Sequence, residues 1–251
     1  MSERIRIAVL VPVTLEGIGD QAMYDLLQAY ERYKEPGTEL RAYKIRRGSS
    51  TVETHYDEQL SGAFCLPEVE RAEREGAQAV VNSCFGDPAL AASREAVGIP
   101  VVGTGQTSMF VAAMLGRKFS ILATDESAVG VMYDLARAYG LHDRLASIRC
   151  IGSGVGEVLS REDGRSPLER LKQAVREAAR QAVEEDGADV LLLGCGGLSM
   201  DGLVEWLQAE MGVPVVDSNA VTLKMAELLV KCRLSQSKKA FAFPKQKPRS
   251  W

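Results

Sequence analysis

The sequence predicts an α/β fold made of two pseudo-symmetric lobes, each with its own parallel sheet, and an active site in the cleft between them. Short, continuously apolar segments alternate along the chain with longer segments of helical period, as is typical of parallel βαβ units. The two halves of the sequence also resemble each other. Residues 76–84 match residues 187–195, and both halves continue to a Gly-x-Pro-Val-Val segment. These matches, at a nearly constant offset, indicate an internal duplication.

Each element is predicted from its local pattern. Strands are expected where apolar runs are short and lie between turn residues, at residues 6–11, 39–45, 79–83, 101–103, 119–123, 147–151, 190–194 and 215–217. Helices are expected where apolar residues recur at helical spacing, at residues 20–33, 57–75, 90–97, 107–115, 127–139, 167–185, 202–211 and 220–231. The helix from Pro167 is well marked, because Ser166 can cap it and Gly187 follows its end. Residues 157–166 are predicted to be a loop.

The duplication predicts how the chain divides into lobes. The first lobe is expected to contain residues 1–105 together with 218–251, and to include Cys84. The second is expected to contain residues 106–217 and to include Cys195.

The composition and charge of the chain argue against several classes of function. Residues 1–230 carry a net charge of −11, whereas the end of the chain after Glu227 has no acidic residue and is basic. An acidic body argues against a nucleic-acid surface. No apolar run approaches the length of a membrane span or of a signal peptide, so we predict a cytoplasmic protein without a membrane partner. Five cysteines without a CxxC pair indicate reduced thiols, and two histidines offer few ligands for a metal site.

Two of the cysteines occupy equivalent places. Cys84 and Cys195 each follow a central strand and precede a Gly-containing turn and a helix. Ligands of open α/β sheets bind at the carboxyl ends of the strands. Free N–H groups at a helix start should lower the pKa of such a thiol. The alternative is that both cysteines are buried packing residues.

A pair of thiols facing each other across a ligand suits one reaction above others. Inversion of a carbon that carries an acidic hydrogen needs a base on one face and an acid on the other. A thiolate and a thiol supply both without a cofactor. The N–H groups around Phe85–Gly86 and Gly196–Gly197 are candidate donors to the enolate oxygen. Val13, Thr14, Ser50, Thr51 and Thr124 are the further candidate substrate-binding residues.

Three motifs carry a resemblance to a known family. Residues 82–88, Asn-Ser-Cys-Phe-Gly-Asp-Pro, resemble the Cys-Phe-Gly-Asp-Pro signature of hydantoin and allantoin racemases, which belong to the cofactor-independent aspartate/glutamate racemase superfamily. Residues 193–198, Leu-Gly-Cys-Gly-Gly-Leu, are similar to the second cysteine motif, and residues 103–109 resemble a Gly-x-Gly-Glu segment. The resemblance covers roughly residues 5 to 231. It implies two α/β lobes, no cofactor, and proton transfer by Cys84 and Cys195.

The chain also departs from the family pattern. The first strand ends in Val11-Pro12-Val13-Thr14, where the family commonly has Asn-Pro-Asn-Thr. The loss of two polar side chains, with Phe85 and Gly196 directly after the cysteines, favours a neutral small-molecule substrate such as a hydantoin over an amino acid. Two alternatives stay open. One is a maleate-isomerase-like or decarboxylase-like enzyme of the same superfamily, and the other is a non-catalytic two-lobed metabolite-binding protein. A homo-oligomer is expected.

Overall fold

The chain folds around two four-stranded parallel sheets. The computed structural model describes residues 4–160, 168–200 and 202–249. The strands are β1 (Ile5–Val11), β2 (Thr38–Lys44), β3 (Ala79–Asn82), β4 (Val101–Gly103), β5 (Phe119–Ala123), β6 (Leu145–Cys150), β7 (Val190–Leu193) and β8 (Val215–Val216). The helices are α1 (Asp20–Glu31), α2 (His55–Arg74), α3 (Leu90–Ala96), α4 (Thr104–Leu115), α5 (Val129–Ala138), α6 (Val155–Leu159), α7 (Leu168–Glu184), α8 (Leu203–Met211) and α9 (Ser218–Lys231).

The two sheets have the same topology. The strand order is β2-β1-β3-β4 in the first and β6-β5-β7-β8 in the second. Every strand pair is parallel, with Ile7 opposite Ala79 in the first sheet and Phe119 opposite Val190 in the second. The predicted fold class, two pseudo-symmetric α/β lobes, is therefore confirmed. The proposed residue limits of the lobes stay a prediction, although α9 does pack on the first sheet.

Each sheet is covered by helices on both faces. On the first sheet, Tyr30 of α1 and Leu223 of α9 join the core on one face, and Val69 of α2 joins the core on the other. On the second sheet, α7 and α8 cover one face, and α4 and α5 cover the other. This explains why the central strands β1, β3, β5 and β7 are mostly apolar rather than alternating. The buried layers hold the strand ends in fixed positions.

The segment between β6 and α7 differs from its prediction. Residues 157–159, predicted as loop, belong to the short helix α6 (Val155–Leu159). That prediction was wrong because a helix of five residues is too short to show a helical period. The predicted cap Ser166 and first-turn Pro167 lie outside the described residues, and the helix is described from Leu168. Within the described parts of the chain, no helix has the length and apolar character that crossing a membrane requires.

The basic end of the chain docks on the first lobe. Val101 of edge strand β4 donates its N–H to Gln236 Oε1 at 2.9 Å, and Gln236 Nε2 donates back to the Val101 carbonyl at 3.3 Å. The side-chain amide thus takes the place of a neighbouring strand. Lys238 Nζ donates to the carbonyls of Arg94, in the last turn of α3, and of Val97, directly after it, where helix carbonyls lack partners.

Candidate active site

The duplicated topology places Cys84 and Cys195 at equivalent strand ends. Cys84 lies two residues beyond β3 and Cys195 two residues beyond β7. Both thiols line a single cavity of about 770 Å³, counted with its opening to solvent, whose walls come from both lobes. Ligands are expected at this end of a parallel sheet, because the chain leaves the strands there and frees backbone groups.

The same buried hydrogen bond holds both strand ends. Thr104 Oγ1 donates to the Asn82 carbonyl at 2.6 Å, and Ser218 Oγ donates to the Leu193 carbonyl at 2.8 Å. Thr104 and Ser218 are each the first residue of the helix that follows the last strand of their sheet. The bond therefore fixes each strand end two residues before the cysteine.

The turn after Cys84 is fixed by a buried carboxylate. Asp87 donates its N–H to the Cys84 carbonyl at 3.1 Å. Its carboxylate accepts from the Gly105 and Gln106 N–H groups at 3.1 and 2.7 Å, and from the Tyr139 hydroxyl at 2.7 Å. Burial raises the pKa of Asp87 to about 6, against the opposing effect of these donors. The network ties the cysteine turn to the start of α4 and the end of α5.

Burial dominates the electrostatics of both thiols. It raises the pKa of Cys84 and of Cys195 above the ordinary thiol value. The nearby Gly86 N–H favours the thiolate of Cys84, and the Gly197 and Leu198 N–H groups favour that of Cys195, so these groups lower each pKa by a smaller amount. The prediction of a lowered thiol pKa was therefore wrong, because the cost of desolvating a thiolate exceeds the benefit of its donors. That the N–H groups around Phe85–Gly86 and Gly196–Gly197 donate to an enolate oxygen stays a prediction.

The cavity wall is mainly apolar. The first lobe contributes Val11, Val13, Leu15, Ala22, Leu26 and Val52, and the second contributes Ala128, Val131, Met132, Val155 and Leu159. The neutral polar side chains on the wall are Ser83 and Thr124, beside the thiols. Ser83 Oγ accepts from the buried Tyr30 hydroxyl at 3.0 Å. Glu53 is the one charged side chain among the described lining residues.

Contacts made by residues 53–58 join the two lobes. Glu53 Oε1 accepts from the Val155 N–H at 2.7 Å. His55 Nδ1 lies 3.0 Å from Glu58, and its Nε2 lies 3.2 Å from Asp134 of α5. Because Glu53, His55 and Glu58 belong to one segment, that segment fastens the first lobe to two helices of the second.

The structure brings most of the predicted site residues together. Cys84, Cys195, Val13, Phe85, Gly86, Thr124, Gly196 and Gly197 line the cavity. Phe85 is nearly fully buried and packs in the core of the second lobe beside Met109. It therefore anchors the cysteine turn to that lobe.

Three predicted residues are not among the cavity-lining residues. Thr14 and Ser50 lie where residues 14–15 pair with residues 49–50, and Thr51 follows that pairing directly. There the Thr14 N–H donates to Ser49 at 2.9 Å, and the Leu15 N–H donates to Ser50 at 3.3 Å. Thr14 instead lines a surface depression with Lys44 and Arg46. Val52 and Glu53, which follow shortly after this pairing, do line the cavity.

Sequence reasoning missed several wall residues. Leu15, Val52, Glu53, Val155 and Leu159 all line the cavity. Each lies in a loop or a one-turn helix, where no period marks a buried side. Leu159 packs over Gly197, where a Cβ would lie 2.9 Å from the Leu159 side chain, and this contact is visible only in the structure.

The other three cysteines are not among the residues that line this cavity. Cys65 is buried, Cys150 is half-buried at the end of β6, and Cys232 is exposed. Over the residues with described positions, no three His, Cys, Asp or Glu side chains form a cluster able to hold a metal ion.

The comparisons with known proteins agree on one family. The model of the Asp/Glu/Hydantoin racemase family matches residues 20–226. The hydantoin racemase of Paenarthrobacter aurescens is 36% identical over 235 residues, 93% of this chain and 94% of that protein. The hydantoin racemase of a Pseudomonas species is 35% identical over 211 residues, 84% of this chain and 82% of that protein. The structure of the allantoin racemase from Klebsiella pneumoniae is similar with a TM-score of 0.88 and 32% identity, covering 98% of this chain and 96% of that chain.

Proposed function

Because this chain belongs to the Asp/Glu/hydantoin racemase family and is an isomerase of the racemase type, we propose that it racemises a neutral, hydantoin-like ring by proton transfer between Cys84 and Cys195. One observation supports the mechanism above all others. Two thiols at equivalent strand ends of the two lobes line the same cavity. A packing role would not require both to border empty space.

The reaction moves one proton off the ring and another onto it. The thiolate of one cysteine takes the α-hydrogen, and the electron pair of the broken C–H bond passes into the enolate. The thiol of the other cysteine then donates its proton to the opposite face of the same carbon, which inverts it. The two cysteines end with exchanged protonation states. The opposite enantiomer uses them in the reverse order.

The backbone donors at each sulfur have a part in this cycle. A buried thiolate is costly, and the N–H groups of Gly86, Gly197 and Leu198 offset part of that cost. Each cysteine has at least one such donor, so either can carry the charge. Equivalent support on both sides suits an enzyme that must accept both enantiomers.

The wall of the cavity favours an uncharged substrate. Its apolar side chains cannot solvate a carboxylate, and an unpaired buried charge is costly. No Lys, Arg or His is among the described lining residues. The α-hydrogen of a hydantoin is also more acidic than that of an amino-acid carboxylate, so the site needs to stabilise its enolate less.

Exchange of the α-proton in deuterated water tests this substrate class. The panel contains a hydantoin with an apolar 5-substituent, allantoin, maleate and free aspartate, with uncatalysed exchange measured without protein. We expect kcat/KM for the hydantoin to exceed that for aspartate by at least about a hundredfold, equivalent to about 2.7 kcal/mol. Comparable turnover of aspartate, or turnover of maleate without exchange of any hydantoin, would contradict the proposal.

A further inference from the structure

The described residues that line the cavity carry a negative charge and no positive charge. Glu53 is the one ionisable carboxylate among its described lining residues, and no cationic side chain lies among them. Two other acids lie near Cys84 but are engaged. Glu58 pairs with His55, and Asp87 accepts from Tyr139 and two backbone N–H groups.

The position of the Glu53 carboxylate is set by a contact between lobes. Its Oε1 accepts from the Val155 N–H at 2.7 Å, which fixes the side chain at the cavity wall. Within the described chain, Oε2 has no hydrogen-bond partner and can accept an N–H group. Both Glu53 and Cys195 line the cavity, and the charge of Glu53 adds a small contribution to the pKa of Cys195, which burial chiefly raises. Glu53 therefore faces the same ligand space as Cys195.

We propose that Glu53 is a specificity-determining residue that repels anionic ligands from the Cys195 side of the cavity and accepts an N–H group from a neutral cyclic ureide or amide. The choice of ligand rests on the proposed function, whereas the repulsion does not. Apolar walls alone make a carboxylate costly to bind. A fixed negative charge adds a repulsion that increases in a water-poor cavity, where charges are weakly screened.

The Glu53→Gln variant removes the negative charge of the side chain and keeps nearly the same shape. Glutamine keeps an oxygen that can accept from Val155, so the contact between lobes is retained while the charge is lost. Glu157→Gln is the matched control. Glu157 lies in α6, two residues from Val155, but it is exposed and is not among the lining residues.

Alkylation of Cys195 measures the repulsion without any turnover. Iodoacetamide and iodoacetate are similar in size but differ in charge, and mass spectrometry resolves the label at each cysteine. We expect Glu53→Gln to lower the iodoacetamide/iodoacetate rate ratio at Cys195 about tenfold. The ratio at exposed Cys232 should not change, and Glu157→Gln should change neither. A change in thiol pKa affects both reagents alike and cancels in the ratio. An unchanged ratio at Cys195 overturns the proposed repulsion.

A pair of hydantoins tests the same charge in the reaction. The two carry carboxymethyl or carbamoylmethyl at the 5-position and have nearly equal shapes. We expect the wild-type protein to prefer the amide at least about tenfold in kcat/KM, and Glu53→Gln to remove most of that preference. Equal turnover by the wild-type protein overturns the specificity role whatever the variant does. Turnover of neither compound counts against the proposed function, while the alkylation ratio still decides the role of Glu53.

Discussion

Replacing Gly105 by alanine should displace the turn that holds Cys84. Gly105 is the second residue of α4 and donates its N–H to Asp87 at 3.1 Å. A Cβ at this position would lie 2.1 Å from the Phe85 carbonyl oxygen and 3.1 Å from Asp87 Oδ2. Since the first contact is with backbone, no side chain can rotate away. Either the helix start or the cysteine turn must move.

The size of the effect follows from that contact. Opening it to 3.0 Å, the shortest separation that real Cβ atoms show, needs a movement of about 0.9 Å. Overpacking of this kind typically costs about 1–3 kcal/mol of unfolding free energy. A misplacement of about 1 Å in an active site can cost about a hundredfold in rate. We therefore expect Gly105→Ala to lower both the urea midpoint and, by about a hundredfold, kcat/KM for the hydantoin.

Gly130→Ala is the matched control for this experiment. Gly130 lies within α5, and a Cβ there would meet nothing within 4 Å. Alanine is favoured over glycine in a helix, by up to about 0.5–1 kcal/mol in its interior and less in its first turn, so this variant should be at least as stable as the wild type and fully active. If Gly105→Ala matches the wild type in urea unfolding and in kcat/KM, the account of the cysteine turn is refuted.

Two further predictions concern pH and the end of the chain. Because burial raises the pKa of both Cys84 and Cys195, the reactive thiolate is scarce near neutrality and increases with pH. Wild-type kcat/KM should therefore rise about tenfold per pH unit from about pH 7 to about pH 9. A flat pH profile would contradict a thiolate base with a raised pKa. Gln236→Ala removes both hydrogen bonds to Val101 and should lower unfolding free energy by about 1 kcal/mol. It should also speed tryptic cleavage at Lys238; equal cleavage of variant and wild type would show that Gln236 does not hold this segment.

The fold was predictable because its signals are local and repeated. Most strands are short apolar runs between turn residues, although β2 and β6 also contain charged residues. The Gly-Ala-strand-Cys segments ending at Cys84 and Cys195 mark equivalent places in the two halves. The two sheets accordingly have equal strand orders. The place of both cysteines at strand ends followed from the same pattern.

The rest of the site depends on which loops meet in space. The apolar end of β1 and the residues next to each cysteine could be located from strand positions. Glu53 and Val155, by contrast, come from separate loops that meet across the lobes, and no local pattern indicates that meeting. The pKa of Cys195 was predicted in the wrong direction for a related reason. Donors that follow a strand are visible in sequence, whereas the depth of burial is a property of the assembled lobes.

The most direct measurement of the two-thiol account follows single enantiomers of the hydantoin in deuterated water with Cys84→Ser and Cys195→Ser. We predict that each variant loses racemisation by about a thousandfold. Each should still exchange the α-hydrogen of one enantiomer with retention, through its remaining thiol, and the enantiomer should differ between the two variants. Racemisation of both enantiomers at the wild-type rate by either variant would contradict the account.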